Sequence, residues 1–467
     1  MTVAVIGGGI TGLVAARRLA LGGQHVELYE ATDRFGGKIL GAAFAGLPNV
    51  EAGPDAVLAR VPWARELIGE LGIDPAQVVS PATGRAFIAH RGGLHAIPDG
   101  LVLGVPAGLG GLARSNLLSV RGKLRAAADV VLPRRSVDHD SLGRTISQRF
   151  GAEVLDLLVD PLVGSINAGD SNRLSLTAST PQIAPTAARS RSLLLGLRKL
   201  PRPPASTDPV FITPRDGLGS LVAHLLAELE RLGVGLHPNT PVESVSRDGR
   251  TYVLDVAGQS TRVDGLVLAC PAFAAADLLR DIAPDSARGL ASIVYAGVVM
   301  VTVHVDDRRV LDKLPAGSGI LVPKPDQIHL TAASFATRKW EHWQPPGGGE
   351  ILRLSLGRLG NEVALGFDDA TCAEVALKEL AMHTGIAGDP PVREVRVSRW
   401  PRAFPQYEPH HLQRVAAIEE AFAREVPGIV AGGAAYRGVG IPACIRQGGE
   451  AAEAMSAWLA EPSESSR

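Results

Sequence analysis

Cysteine is scarce, with only Cys270, Cys372 and Cys444 in 467 residues. Their odd number and wide spacing exclude a disulfide framework and a metal-ligand cluster. No metal site is therefore expected, and a reducing, cytoplasmic compartment is the default. Aromatic residues are also few, at 4%, which counts against a site built as an aromatic cage. Neither sign of charge dominates, since 47 basic and 48 acidic side chains leave a formal net charge of -1. A general nucleic-acid binder would carry a large basic excess, so that class is excluded. An anionic small molecule stays compatible if Arg and Lys cluster locally. A membrane span takes about 20 apolar residues, and the uncharged stretch Gly100–Ala113 is shorter and broken by Pro106. Met1 leads at once into a strand-like run, so no leader peptide is expected.

What the chain does have is apolar content, 46% of it, and 53 glycines. Its length predicts two or three domains. Thr2–Ile6 is a short β-branched run suited to a buried strand, Ile10–Leu21 spaces Leu13, Ala16 and Ala20 as a helix, and His25–Glu30 reads as a second strand. From Leu101 to about Pro204 leucine, alanine and arginine dominate, which predicts a helical region ending in the basic, proline-rich stretch Arg198–Pro204. Leu218–Leu232 predicts an amphipathic helix. Val298–Val305, Ile320–Pro323 and Ile351–Leu356 predict a second sheet, and Pro427–Leu459 returns to strand, glycine turn and helix.

The chemistry begins at Gly7-Gly8-Gly9-Ile10-Thr11-Gly12, a G-x-G-x-x-G pattern lying directly between a strand and a helix. Glycines there permit the tight turn, the close approach of a pyrophosphate and close helix–strand packing, while the helix N-terminus offers free N–H groups to the phosphates. Glu30 closes the second strand at the spacing where a carboxylate binds ribose hydroxyls, which disfavours a 2′-phosphate. The next stretch, Glu30-Ala31-Thr32-Asp33-Arg34-Phe35-Gly36-Gly37-Lys38, resembles the extended flavin signature of the amine-oxidase-like flavoproteins and points to FAD over NAD. Near the other end, Ile429–Gly433 reads as a strand entering a turn, and Gly438-Val439-Gly440-Ile441-Pro442 as a turn opening a helix. A helix N-terminus aimed at a flavin would stabilise its anionic reduced form. Two such features at opposite ends imply a discontinuous cofactor domain.

The segments Val50–Ala56, Glu153–Ala178, Arg399-Trp400-Pro401-Arg402-Ala403-Phe404-Pro405-Gln406-Tyr407 and Gly438–Ile445 resemble, in order and across nearly the whole chain, the FAD-dependent protoporphyrinogen/coproporphyrinogen oxidase family. The tracts Thr83–Phe87 and Gly93–Pro98 are similar to those of its bacterial coproporphyrinogen III oxidases. The resemblance implies an α/β protein of amine-oxidase-like flavoprotein fold: a discontinuous FAD-binding Rossmann-like domain, a mixed-sheet substrate domain and a helical domain. Residues 1–60, 206–270 and 425–467 would form the first, 61–95 and 271–424 the second, and 96–205 a helical, membrane-binding-like third.

Carried over position by position, the family's FAD contacts fall on Gly7, Gly8, Gly9, Ile10, Thr11, Gly12, Glu30, Ala31, Arg34, Gly37, Lys38, Gly53, Pro54, Asp55, Ala56, Val242, Trp400, Val439, Gly440 and Ile441. The implied reaction is the oxygen-dependent oxidation of coproporphyrinogen III to coproporphyrin III with release of hydrogen peroxide, in heme biosynthesis. Such a substrate needs an apolar pocket edged by a few basic groups. Arg60 is the first candidate for a carboxylate clamp; the group Arg189, Arg191, Arg198, Lys199 and Arg202 is a second, also readable as surface or as a contact with anionic lipid. Asn167 stands where the family often has tyrosine, which removes an aromatic wall from the substrate side. Cys444 is expected to be a buried free thiol, and His410-His411 loop surface. No residue is identified as a catalytic base. Protoporphyrinogen IX as substrate, an amine oxidase or desaturase, and a flavin-fold binding protein without redox activity remain open at this point.

Overall fold

A computed structural model describes residues 1–133, 136, 139–201, 209–307, 310, 312–386 and 391–461. Arg202–Pro204, the end of the basic, proline-rich stretch, and Pro462–Arg467 lie outside the described residues.

Five short strands make one parallel sheet in the order Gly235–His237, His25–Tyr29, Thr2–Ile6, Gly265–Leu268, Ile429–Ala431. The central strands are buried on both faces, which explains their unbroken apolar character. Helices Ile10–Leu21 and Leu218–Arg231 and the last helix, Ile441–Ala460, share one core with this sheet, through Leu13, Leu19, Leu221, Leu225 and Met455. On the other face lie helices Ala272–Leu279, Pro284–Ala291 and His411–Glu425. Three distant stretches of chain thus build the discontinuous dinucleotide-binding layer.

The second sheet is mixed and seven-stranded, in the order Val392–Pro405, Tyr295–Val305, Glu350–Leu356, Leu330–Phe335, Gly319–Leu321, Ala86–His90, Gly93–Ala96. Its one parallel pairing joins Gly319–Leu321 to Ala86–His90. Along Tyr295–Val305 the residues alternate: Val299, Val301, Val303 and Val305 enter the core that also holds Cys372, Ala376 and Leu380 of helix Asp369–Thr384. Val298, Met300 and Thr302 point the other way.

Between them, short helices from Leu109 to Lys199 form the third unit around Leu142, Ile146, Phe150 and Leu158. At Leu155–Gly164 the helix widens to the i→i+5 pattern. Pro161 lies inside it and has no N–H to give an ordinary helical ladder. No helix among the described residues is long and apolar enough to cross a membrane.

Candidate active site

The first and last helices begin at the carboxyl ends of parallel strands, so their N-termini open on the same edge of the first sheet. Their N-cap residues, Gly9 and Gly440, make no side-chain capping bond, which leaves both sets of terminal N–H groups available to an anion. The helices touch where a Cβ on Gly448 would come within 2.6 Å of the Thr11 carbonyl oxygen. At Gly12 a Cβ would overlap the carbonyl oxygen of Gly7 at 1.9 Å, so only glycine closes that strand–helix junction. Around Gly9, by contrast, a Cβ would meet nothing within 4 Å. That open space beside two uncapped N-termini fits a pyrophosphate.

Residues 34–38 cross over this loop. Gly36 N–H donates to the Gly8 carbonyl at 2.8 Å, and a Cβ on Gly37 would lie 3.2 Å from the Gly9 Cα. The Arg34 guanidinium, expected among the FAD contacts, donates to the carbonyls of Gly37 at 2.6 Å and Ile39 at 3.3 Å. Its visible work is to hold the crossing loop in shape. Glu30 accepts from Gly8 N–H at 2.8 Å and from Thr32 N–H at 2.9 Å. The Thr32 hydroxyl donates to it as well, at 2.7 Å, so of about four acceptor positions one is left for a ribose hydroxyl. Ala31 is exposed beside it. Val242 starts a separate three-stranded meander, tethered to this corner by Thr240 N–H on the Glu30 carbonyl at 2.8 Å.

Lys38 carries a telling combination. It is exposed to solvent, yet it sits so deep in the protein that desolvation pushes its ammonium pKa down. The pair fits a side chain lining a cleft, and the Lys38 backbone lies against Gly53, where an added Cβ would come 2.1 Å from the Lys38 carbonyl oxygen and 3.6 Å from the Trp400 ring. Cys270 is alike, half-exposed while burial raises its thiol to about 12. Cys444 is a free, buried thiol, as expected, with its sulfur near the Gly438 carbonyl.

The far wall of the cleft is the second sheet. Ser398, Met300, Ser355 and Ala332 are in register across four neighbouring strands, from the edge strand inwards, and are half-exposed. One step along the same face, Trp400 donates its indole N–H to the Ala52 carbonyl at 3.2 Å. One step the other way, Arg353 donates to the Gly53 carbonyl. The Gly53–Ala56 segment therefore lies directly against the half-exposed row.

Asp55 turns its carboxylate away from the cleft. It accepts from Lys339 at 2.8 and 2.9 Å and from the Trp340 indole at 3.1 Å, with Arg353 at 3.3 Å. Burial alone would raise its pKa, but the cations Lys339 and Arg353 outweigh that and bring it to about 2. With its carboxylate engaged, Asp55 has its backbone left to meet a cofactor, beside the half-exposed Gly53, Pro54 and Ala56. Lys339, Trp340 and Arg353 escaped the sequence reading because they are ordinary residues far away along the chain.

Arg60 is exposed in the turn before helix Pro62–Glu70 and has no protein partner among the described residues. Asn167 is buried; its side-chain amide donates to the Val163 carbonyl at 2.8 Å, which caps the widened helix. Its neighbour Ala168 clusters with Ala296, Val298 and Trp400, so this loop abuts the sheet face. The Arg189, Arg198 and Lys199 side chains are surface-exposed, Arg191 donates to the Val130 carbonyl at 2.7 Å, and Arg202 lies outside the described residues. His411, expected on a loop surface, is fully buried at the start of a helix, stacked against Tyr407. A surface depression lined by Arg85, Ile97 and Asp99 lies at the opposite edge of the second sheet from Trp400, away from the cofactor segment.

Residues 10–456 match the model of the flavin-containing amine oxidoreductases. The chain belongs to that family. This flavoprotein is 33% identical over 464 residues to the coproporphyrinogen III oxidase of Bacillus subtilis, covering 96% of each chain. It is 25% identical to the chloroplastic protoporphyrinogen oxidase of Nicotiana tabacum, covering 97% of this chain and 85% of that one. A solved structure from Exiguobacterium sp. 255-15, named a protoporphyrinogen oxidase, superposes with a TM-score of 0.86 at 29% identity, covering 98% and 99%. The family supplies a flavin and the cleft a dinucleotide cradle, so this oxidoreductase is FAD-dependent.

Proposed function

We propose that this flavoprotein oxidises coproporphyrinogen III to coproporphyrin III in heme biosynthesis, with oxygen consumed and hydrogen peroxide released. The observation that carries the reading is the whole-length likeness to a coproporphyrinogen III oxidase, against a weaker likeness to a plant protoporphyrinogen oxidase. The half-exposed row Ser398–Met300–Ser355–Ala332 supports it, because small and apolar side chains across four strands offer a flat floor to a broad apolar ring.

FAD, when bound, supplies the two-electron acceptor, and three turns account for the six electrons between porphyrinogen and porphyrin. The cradle Gly7–Gly12, with Glu30, Ala31, Gly37, Lys38 and Val242, holds the dinucleotide part. Gly53–Ala56, Trp400 and Val439–Ile441 flank the ring. Arg60 takes a propionate at the mouth through its unpartnered guanidinium. Asn167 shapes the facing wall by fixing the loop next to Ala168.

The protein acts in the cytoplasm, with contact to a membrane surface through helix Val120–Ala127. There Val120 and Leu124, 74% and 67% exposed, stand one helical turn apart among Arg121, Lys123 and Arg125. The deciding assay follows porphyrin fluorescence in the presence of oxygen with each porphyrinogen separately. Faster oxidation of coproporphyrinogen III is expected. A clear preference for protoporphyrinogen IX would overturn the substrate, and purified protein without flavin absorbance near 450 nm would overturn the oxidase reading.

A further inference from the structure

Gln406 and Tyr407 end the long strand Val392–Pro405 at the point where all three units meet. The Tyr407 side chain is only 2% exposed, and its hydroxyl donates to the Ala434 carbonyl at 2.7 Å while accepting the Gly438 N–H at 2.7 Å. Those two residues bracket the turn between the last strand of the parallel sheet and the last helix. One phenol thus staples both ends of the turn. The ring stacks on His411 with centroids 4.0 Å apart, and His411 Nε2 donates to the Tyr436 carbonyl at 2.9 Å inside the same turn. On the other side, the Tyr407 carbonyl accepts Ser175 N–H at 2.6 Å, and the Gln406 amide donates to the Asn167 carbonyl at 2.9 Å. Every partner named here except Gln406, Tyr407 and His411 belongs either to the cofactor turn or to the helical unit.

We propose that Tyr407 is a positioning residue for FAD: its hydroxyl fixes the turn 434–438 so that Val439–Ile441 and the last helix are aimed at the flavin. Gln406 ties the same geometry to the loop at Asn167 on the substrate side. The inference rests on reading Val439–Ile441 as a flavin contact. A rigid turn matters because N–H groups placed ahead of ligand binding cost no reorganisation when the ligand arrives.

Tyr407→Phe keeps the ring and its stack on His411 but takes the partner from the half-buried Gly438 N–H and Ala434 carbonyl. In apoprotein, amide exchange across residues 433–441 should become at least about tenfold faster. The dissociation constant for FAD should rise by about tenfold, and the absorption band of bound flavin should shift. Ser192→Ala, which removes an equally buried hydroxyl from Asp129 in the helical unit, serves as a control for general destabilisation and should leave FAD affinity unchanged. Unchanged exchange in Tyr407→Phe overturns the proposal and leaves the flavin contact standing. Faster exchange with unchanged FAD affinity and spectrum overturns the contact reading of Val439–Ile441 and the proposal with it. Should Tyr407→Phe fail to fold, the parent protein decides: Gly438 N–H, held by the Tyr407 hydroxyl, should be protected from exchange, and exchange there as fast as at an open loop amide is equally fatal.

Discussion

Lys339 holds Asp55 at 2.8 and 2.9 Å across 284 positions of sequence, and so fastens the loop segment Gly53–Ala56 to the short helix Ala336–Lys339 that follows strand Leu330–Phe335 of the second sheet. Lys339→Met would leave Asp55 with Arg353 and Trp340 alone. Breaking a mostly buried pair from one side costs roughly 3 kcal/mol. A lower urea midpoint is expected, together with weaker FAD binding, because the backbone that faces the cofactor is released. Since the folded pKa of Asp55 is depressed to about 2 from 3.8, its contribution is complete above 3.8 and is lost as pH falls towards 2. The variant should therefore show a shallower acid transition than the parent.

Stability should already decline before that range is reached. Burial holds His411 at about 4, and burial with the nearby Arg215 charge does the same for His342. Between about pH 6.5 and 4 the unfolded chain binds protons at these two histidines that the folded one does not, so their contribution to stability falls as pH drops and stops changing below 4. The slope is roughly 1.4 kcal/mol per pH unit for a fully buried site and less for the half-exposed His342. Urea midpoints between pH 7 and 4.5 check this, and His411→Phe should flatten the decline.

Arg60→Ala should raise KM for the porphyrinogen about tenfold while changing kcat less, because a mouth residue adds binding energy that ground and transition states share. Steady-state kinetics with coproporphyrinogen III test it. Unchanged constants would remove Arg60 from the site.

Lys38→Met deletes a cation from the cleft floor. The expected result is FAD affinity about tenfold weaker, read by titrating apoprotein with FAD. In the parent protein, affinity should decline at alkaline pH, since burial has lowered the ammonium pKa; the variant should lose that dependence.

Leu124→Asp puts a negative charge in the middle of the apolar and basic face of Val120–Ala127. Co-sedimentation with anionic lipid vesicles should fall several-fold, with FAD content and turnover in detergent-free buffer unchanged. Equal binding by parent and variant would remove this face from membrane contact.

The parts legible in the sequence are those governed by local chemistry. The turn Gly7–Gly12, the carboxylate Glu30 and the turn before Ile441 each announce themselves within a few residues, because backbone conformation and helix N-termini are local properties. Strand periodicity likewise exposed Val298–Val305 and Ile351–Leu356, which the structure pairs side by side. The fasteners were not legible. Nothing near Asp55 in sequence marks the grip of Lys339 and Trp340, from a short helix and its exit, or of Arg353 from the second sheet, and nothing near Arg34 marks that its guanidinium bonds the carbonyls of its own loop. Tyr407 belongs to a motif whose likeness to a family said nothing of what its hydroxyl holds. Side-chain pairings over hundreds of residues are decided by packing, which no local pattern records.

The parallel sheet takes its strands from residues 2–29, 235–268 and 429–431, and this has a consequence during translation. The last strand to leave the ribosome is the one that brings the second glycine turn and its helix. Until then Gly265–Leu268 is an open edge able to pair with another nascent chain. With Val439–Ile441 meeting the flavin as proposed, a chain halted before residue 441 has this edge open and lacks part of its cofactor cradle.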